Sequence, residues 1–115
     1  MASTVAKNRS HAFQAQAHRC YYCGYQMWLS SPDDFARSLG ITIRQAHSLR
    51  CTAEHLQAQC DGGTNRRENI AAACATCNRR RHTRKLPRAP FEFKALVTRR
   101  LKAGRWHSFK PNASQ

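Results

Sequence analysis

Cys51-Thr52-Ala53-Glu54-His55-Leu56, followed by Gly62-Gly63, Glu68-Asn69-Ile70 and Cys74-Ala75-Thr76-Cys77-Asn78-Arg79-Arg80-Arg81-His82, is the stretch whose reading decides the fold. Leu49 to Leu56 has the alternating, β-branched character of a strand, and a carboxylate stands beside an imidazole near its end. Asp61-Gly62-Gly63-Thr64-Asn65 is a turn by composition. A helix is predicted to begin near Ala71 to Ala75 and to run through Arg81. Asn78 and His82, four positions apart, then share one helical face. The Glu54 carboxylate, the Asn78 amide oxygen and a His82 nitrogen can together hold a divalent ion and leave positions open, the arrangement of a catalytic rather than a structural site. His55 stays free as a general base, since an imidazole titrates near operating pH.

Two Cys-x-x-Cys pairs flank this stretch: Cys20-Tyr21-Tyr22-Cys23, followed by Gly24, and Cys74-Ala75-Thr76-Cys77. One tight turn aims two sulfurs at one ion, so two turns complete a tetrahedral Zn(Cys)₄ site. The competing readings are four ordinary thiols or a redox pair, and no βαβ pattern surrounds either motif to favour the latter. Cys51 and Cys60 belong to neither pair and are expected as small buried hydrophobes.

Composition agrees with a metal staple. Of 115 residues, 17 are Ala and six are Cys, which leaves 24 larger apolar side chains, a thin core for one domain. No apolar run is long enough for a membrane span or a secretory signal, so a cytoplasmic protein is expected, in a prokaryotic or phage-infected cell, with its cysteines reduced. The net charge is +14, and residues 79–110 hold 12 of the 20 Lys and Arg with Glu92 as the single acid. Such an excess favours a polyanion. Arg79, Arg80, Arg81, Arg84, Lys85 and Arg88 are the candidate nucleic-acid contacts, because six cations in ten residues repel one another until a phosphate backbone relieves them.

Outside the motif the chain reads more plainly. Residues 1–18 are polar and irregular and are expected to be a mobile basic arm, with 111–115 a frayed tail. Ser31-Pro32-Asp33-Asp34 starts a short helix over 32–39 that Gly40 can cap. Ile41-Thr42-Ile43 has strand character. A second helix fits 91–103, within a C-terminal segment 90–103, with Phe93, Leu96, Val97 and Leu101 on one stripe and Gly104 beyond its end.

The acid-His dipeptide Glu54-His55, the Gly62-Gly63 turn, the Asn69-Ile70 step and the closing Cys74-x-x-Cys77-Asn78 with His82 together resemble the HNH endonucleases of the ββα-metal group. The Cys20/Cys23 knuckle is similar to that of their zinc-bearing, four-cysteine branch. The resemblance spans residues 20–82. It implies an α+β fold: a single small domain over 19–110, with a β-hairpin and helix stapled by zinc at Cys20, Cys23, Cys74 and Cys77, and extra helices flanking it. It further implies metal-dependent phosphodiester hydrolysis, with His55 as general base, Asn69 holding the loop and the His55 geometry, and Glu54, Asn78 and His82 carrying a catalytic Mg²⁺ or Mn²⁺. The expected ends are 5′-phosphate and 3′-hydroxyl. The expected partner is double-stranded DNA, with neither a membrane nor a small-molecule substrate, and a homodimer is compatible with it. Small enzymes of this kind occur in phage, mobile elements and restriction systems. Three departures stand out: a longer 27–48 segment, Glu54 where Asp is common, and Asn78 where His is common. The rival readings are a non-catalytic zinc-ribbon-like DNA-binding module and an RNA-cleaving nuclease or toxin on the same fold.

Overall fold

The strand ending in Glu54-His55 pairs with the alanine run that precedes the second cysteine pair. β1 (Cys51–His55) and β2 (Ile70–Cys74) are antiparallel, with Cys51 opposite Cys74, Ala53 opposite Ala72 and His55 opposite Ile70. The computed structural model describes residues 3–112. Ala71-Ala72-Ala73 is good helix sequence, yet it lies in β2, every residue of which is buried. Tertiary packing overrides propensity here, since methyl side chains let other elements approach both faces of the strand. The helix expected from Ala71 to Ala75 onward therefore takes the later start, as α4 (Ala75–Arg81). Between the strands, single 3₁₀ turns at Gln59–Asp61 and Arg67–Asn69 frame the Gly-Gly turn. A Cβ on Gly63 would lie 1.8 Å from the Gln57 carbonyl oxygen, so that position admits only glycine.

The N-terminal segment expected to be a mobile arm over 1–18 is instead largely a docked helix, and its first two residues lie outside the described ones. α1 (Thr4–Ala15) starts at Ser3, whose hydroxyl accepts from the Ala6 amide at 3.1 Å, and it buries Ala12 and Phe13. Its amphipathicity is weak, and that hid it in the sequence. What docks it is specific: the Gln16 side chain donates to the Ala72 carbonyl at 2.8 Å and accepts from the Ala72 amide at 2.9 Å. The outer edge of β2 is thus satisfied by one side-chain amide, joined by the Tyr21 amide donating to the Ala72 carbonyl at 2.9 Å. Buried backbone groups need such partners.

α2 (Pro32–Leu39) ends at Gly40, which is left-handed as a C-cap requires. Ile43, expected in a strand with Ile41 and Thr42, starts α3 (Ile43–Ser48) instead. Thr42 and Gln45 form a capping box, the Thr42 hydroxyl accepting from the Gln45 amide at 3.0 Å and the Gln45 side chain from the Thr42 amide at 2.9 Å. Reciprocal capping outweighs β-branched propensity. α5 (Pro90–Lys102) buries Phe93 and Val97 and packs Leu96 and Leu101 against the core, with Gly104 left-handed beyond its end. The chain then returns Trp106 to the interior. Of the expected frayed tail 111–115, Asn112 is tied down, its amide donating to the Leu39 carbonyl at 3.0 Å, and 113–115 lie outside the described residues.

The core gathers Phe13, Tyr22, Met27, Leu49, Phe93, Val97 and Trp106 around the hairpin and the four paired cysteines. The fold is a small α+β domain with a two-stranded hairpin, and among the described residues no helix is long and apolar enough to cross a membrane.

Candidate metal centre and active site

Cys20 and Cys23 stand on a tight turn closed by Gly24 at φ 75°, Cys74 ends β2, and Cys77 sits in the first turn of α4. Their four sulfurs lie within 4.8 Å of one another. Amides aim at them: Tyr22 and Cys74 donate to the Cys20 sulfur at 3.4 and 3.3 Å, and Cys77 donates to that of Cys74 at 3.4 Å. The Trp106 indole donates to the Cys77 sulfur at 3.3 Å, and His107 Nε2 lies 3.3 Å from that of Cys23. Sharing of protons within the cluster pushes the Cys74 thiol far down and those of Cys23 and Cys77 far up. Converging amide and indole donors suit thiolates, and holding all four sulfurs as thiolates in this one spot would require a cation. The cluster thus fits a structural zinc. Cys51 is buried, which pushes its thiol up to about 11. Cys60, expected to be buried with it, is exposed on the Gln59–Asp61 turn, because that turn rides on the surface between the strands.

Glu54, His55, Asn78 and His82 line one cavity of about 300 Å³, with Cys60 at its edge. β1 supplies the first two and α4 with its C-cap the others. Glu54 is 1% exposed, a carboxylate that burial would penalise heavily without partners. Its Oε2 accepts from the Tyr22 hydroxyl at 2.7 Å and from Arg81 Nη1 at 2.8 Å, and its Oε1 faces His82 Nε2 at 2.9 Å. Burial, and then the Glu54 charge, push the Tyr22 hydroxyl well above the usual phenol range, so it stays a donor. Neighbouring ligands of an octahedral ion with bonds of about 2.1 Å are about 3 Å apart. The Oε1 to Nε2 separation therefore suits a cation taking the place of the shared proton. Asn78 donates through Nδ2 to the Thr52 hydroxyl at 3.0 Å and to the Ala53 carbonyl at 3.1 Å. A carbonyl can only accept, so the orientation of this amide is set and its oxygen is the end left for a ligand.

His55 Nε2 lies 2.8 Å from the Asn65 amide oxygen. That oxygen accepts only, so Nε2 carries the proton and Nδ1 keeps the lone pair a base needs. The Asn69 side chain hydrogen-bonds to the loop, donating to the Gln57 and Thr64 carbonyls at 3.1 and 2.7 Å and accepting from the Gln57 amide at 2.8 Å. The residue that meets the imidazole is Asn65, whose own carbonyl accepts from Asn8 of α1 at 2.7 Å. Asn65 was legible in the sequence only as part of a turn.

Of the six cations expected to meet nucleic acid, Arg79, Arg80, Arg84, Lys85 and Arg88 are exposed. Arg80 donates to the Trp106 carbonyl at 2.6 Å and lies 4.7 Å above its ring, bordering a second cavity with Arg79 and Arg105. Arg81 departs from the expectation. It is 4% exposed, paired with Glu54, and it donates to the carbonyls of His55, Leu56 and Arg88, all at 3.0 Å. Its position on α4 turns it inward to neutralise the buried carboxylate, so it is a structural cation and not a phosphate contact.

Comparison with curated proteins and with solved structures finds no match. Residues 40–84, which carry β1, the intervening loop, β2 and α4, match the family model described as HNH endonuclease, and every residue that lines the cavity falls within this matched segment.

Proposed function

We propose that the protein is a metal-dependent endonuclease that hydrolyses phosphodiester bonds in double-stranded DNA. The observation that carries this is the meeting of Glu54, Asn78 and His82 with His55 in one cavity, two residues of β1 together with Asn78 of α4 and its C-cap His82. A purely DNA-binding zinc module has no need of such a set. Glu54 Oε1, Asn78 Oδ1 and His82 Nε2 would hold the divalent ion. When bound, Mg²⁺ or Mn²⁺ polarises a non-bridging phosphate oxygen and stabilises the leaving 3′ oxygen. His55, with Nε2 held by Asn65, takes a proton from water at Nδ1 as the water oxygen bonds to phosphorus and the P–O3′ bond breaks; the departing 3′ oxygen takes a proton from solvent, and 5′-phosphate and 3′-hydroxyl ends result. Arg79, Arg80, Arg84, Lys85 and Arg88 hold the backbone nearby. Zinc at Cys20, Cys23, Cys74 and Cys77 joins the N-terminal knuckle to the hairpin and α4.

Supercoiled plasmid incubated with Mg²⁺ or Mn²⁺ and with wild type or His55→Ala tests the proposal. Nicking by wild type is expected, with a roughly 10²- to 10⁴-fold slower rate for His55→Ala at unchanged DNA affinity and zinc content. Equal nicking by both proteins refutes the mechanism, and binding without nicking under every metal points to the DNA-binding module.

A further inference from the structure

Tyr22 lies inside the first cysteine pair, between Cys20 and Cys23, yet its hydroxyl is spent on the opposite business of the molecule. It donates to Glu54 Oε2 at 2.7 Å in a buried contact. Its ring meets Phe93 of α5 edge-on at 5.0 Å, Phe93 meets Trp106 at 5.8 Å, and the Trp106 indole donates to the Cys77 sulfur at 3.3 Å. A chain of contacts therefore leaves the four-cysteine cluster at Cys77, passes through the aromatic core, and ends on the carboxylate of the neighbouring cavity. Tyr21, its neighbour in the same turn, is half-buried and shows no such bond.

We infer that Tyr22 is a positioning residue for the catalytic divalent ion, and that through it the zinc knuckle holds the Glu54 carboxylate in the orientation that ion requires. This rests on the nuclease reading above. Oε2 already has two strong donors, Tyr22 and Arg81, so it is saturated and turned away from the cavity. Oε1 is left as the oxygen that faces His82 at 2.9 Å. Arg81, itself fixed by the carbonyls of His55, Leu56 and Arg88, gives Oε2 a single donor, and a carboxylate held at one oxygen by one donor can still pivot about that contact. The phenol, wedged against Phe93, supplies a donor with one allowed direction. Partners that orient a coordinating carboxylate typically govern metal affinity by tenfold or more.

The test compares wild type, Tyr22→Phe and Tyr21→Phe as zinc-loaded full-length proteins, with Mn²⁺ affinity measured by calorimetry without DNA and with plasmid nicking followed across Mn²⁺ concentrations. Tyr22→Phe is expected to keep its zinc, to bind Mn²⁺ roughly tenfold more weakly, and to recover much of its nicking rate at raised Mn²⁺ with KM for DNA unchanged. Tyr21→Phe is expected to match wild type. Mn²⁺ affinity equal in Tyr22→Phe and wild type overturns the inference while leaving the nuclease reading intact. A wild type that neither binds Mn²⁺ nor nicks overturns the reading and the inference with it. Should Tyr22→Phe lose zinc, the wild type itself decides: with ¹³Cζ-labelled tyrosine, Mg²⁺ must shift the Tyr22 resonance and leave that of Tyr21 in place, and an unmoved Tyr22 overturns the inference.

Discussion

His55 and Asn65 are ten positions apart in sequence, yet Nε2 of the one lies 2.8 Å from the amide oxygen of the other, so the proposed base depends on a residue outside the motif dipeptide. Asn65→Ala is expected to slow nicking roughly tenfold, less than His55→Ala, with the fold unchanged, as steady-state kinetics and circular dichroism would show. The arginines separate just as sharply. Removing Arg81 strands the buried Glu54 charge, so Arg81→Ala should cost about 3–5 kcal/mol in urea denaturation. Arg84→Ala, on the exposed surface, should move stability by less than about 0.5 kcal/mol while weakening DNA binding and lowering its salt dependence. A side-by-side denaturation and salt titration distinguishes them, and equal stability for the two variants contradicts the buried-pair assignment. In sequence these arginines are indistinguishable; in the fold Arg81 is the last residue of α4 and meets the hairpin, whereas Arg84 lies in the exposed bend beyond the helix.

At the scale of elements, α1 is the piece whose importance was least visible. It packs on β2, its Phe13 is buried, Gln16 caps the edge of the strand at Ala72, and Asn8 reaches the loop that orients His55. Phe13→Ala is expected to destabilise the protein by about 3–5 kcal/mol, read from the urea midpoint, where a mobile arm would tolerate the change. The two other elements that differ from expectation have local explanations. β2 is an alanine run because it is enclosed, and α3 begins at Ile43 because the Thr42–Gln45 capping box is stronger than the strand preference of two isoleucines. Helices announced by local signals, α2 with Ser31-Pro32 and Gly40 and α5 with its apolar stripe and Gly104, were legible directly, since those signals act within the element itself.

For the whole molecule, the four-cysteine cluster sits inside the hydrophobic core rather than at its margin, in contact with both the aromatic cluster and the hairpin. With so few large apolar side chains, a metal held by the four cysteines would stand in for missing core. Chelation by excess EDTA or phenanthroline is therefore expected to unfold the protein, with loss of the far-ultraviolet helix signal and recovery on adding back Zn²⁺; a folded, chelated protein would refute that role. What the sequence determined by itself was the chemistry: paired cysteines at ligand spacing, an acid beside a histidine, an Asn and a His one helical turn apart, and a strong basic excess. These depend on residue type and short spacing, which the chain carries locally. Which groups meet across the fold was decided only by tertiary structure. Tyr22 reaching Glu54, Arg81 turning inward, Asn65 rather than Asn69 meeting His55, and α1 completing the hairpin all join residues that packing brings together, and no local pattern encodes them.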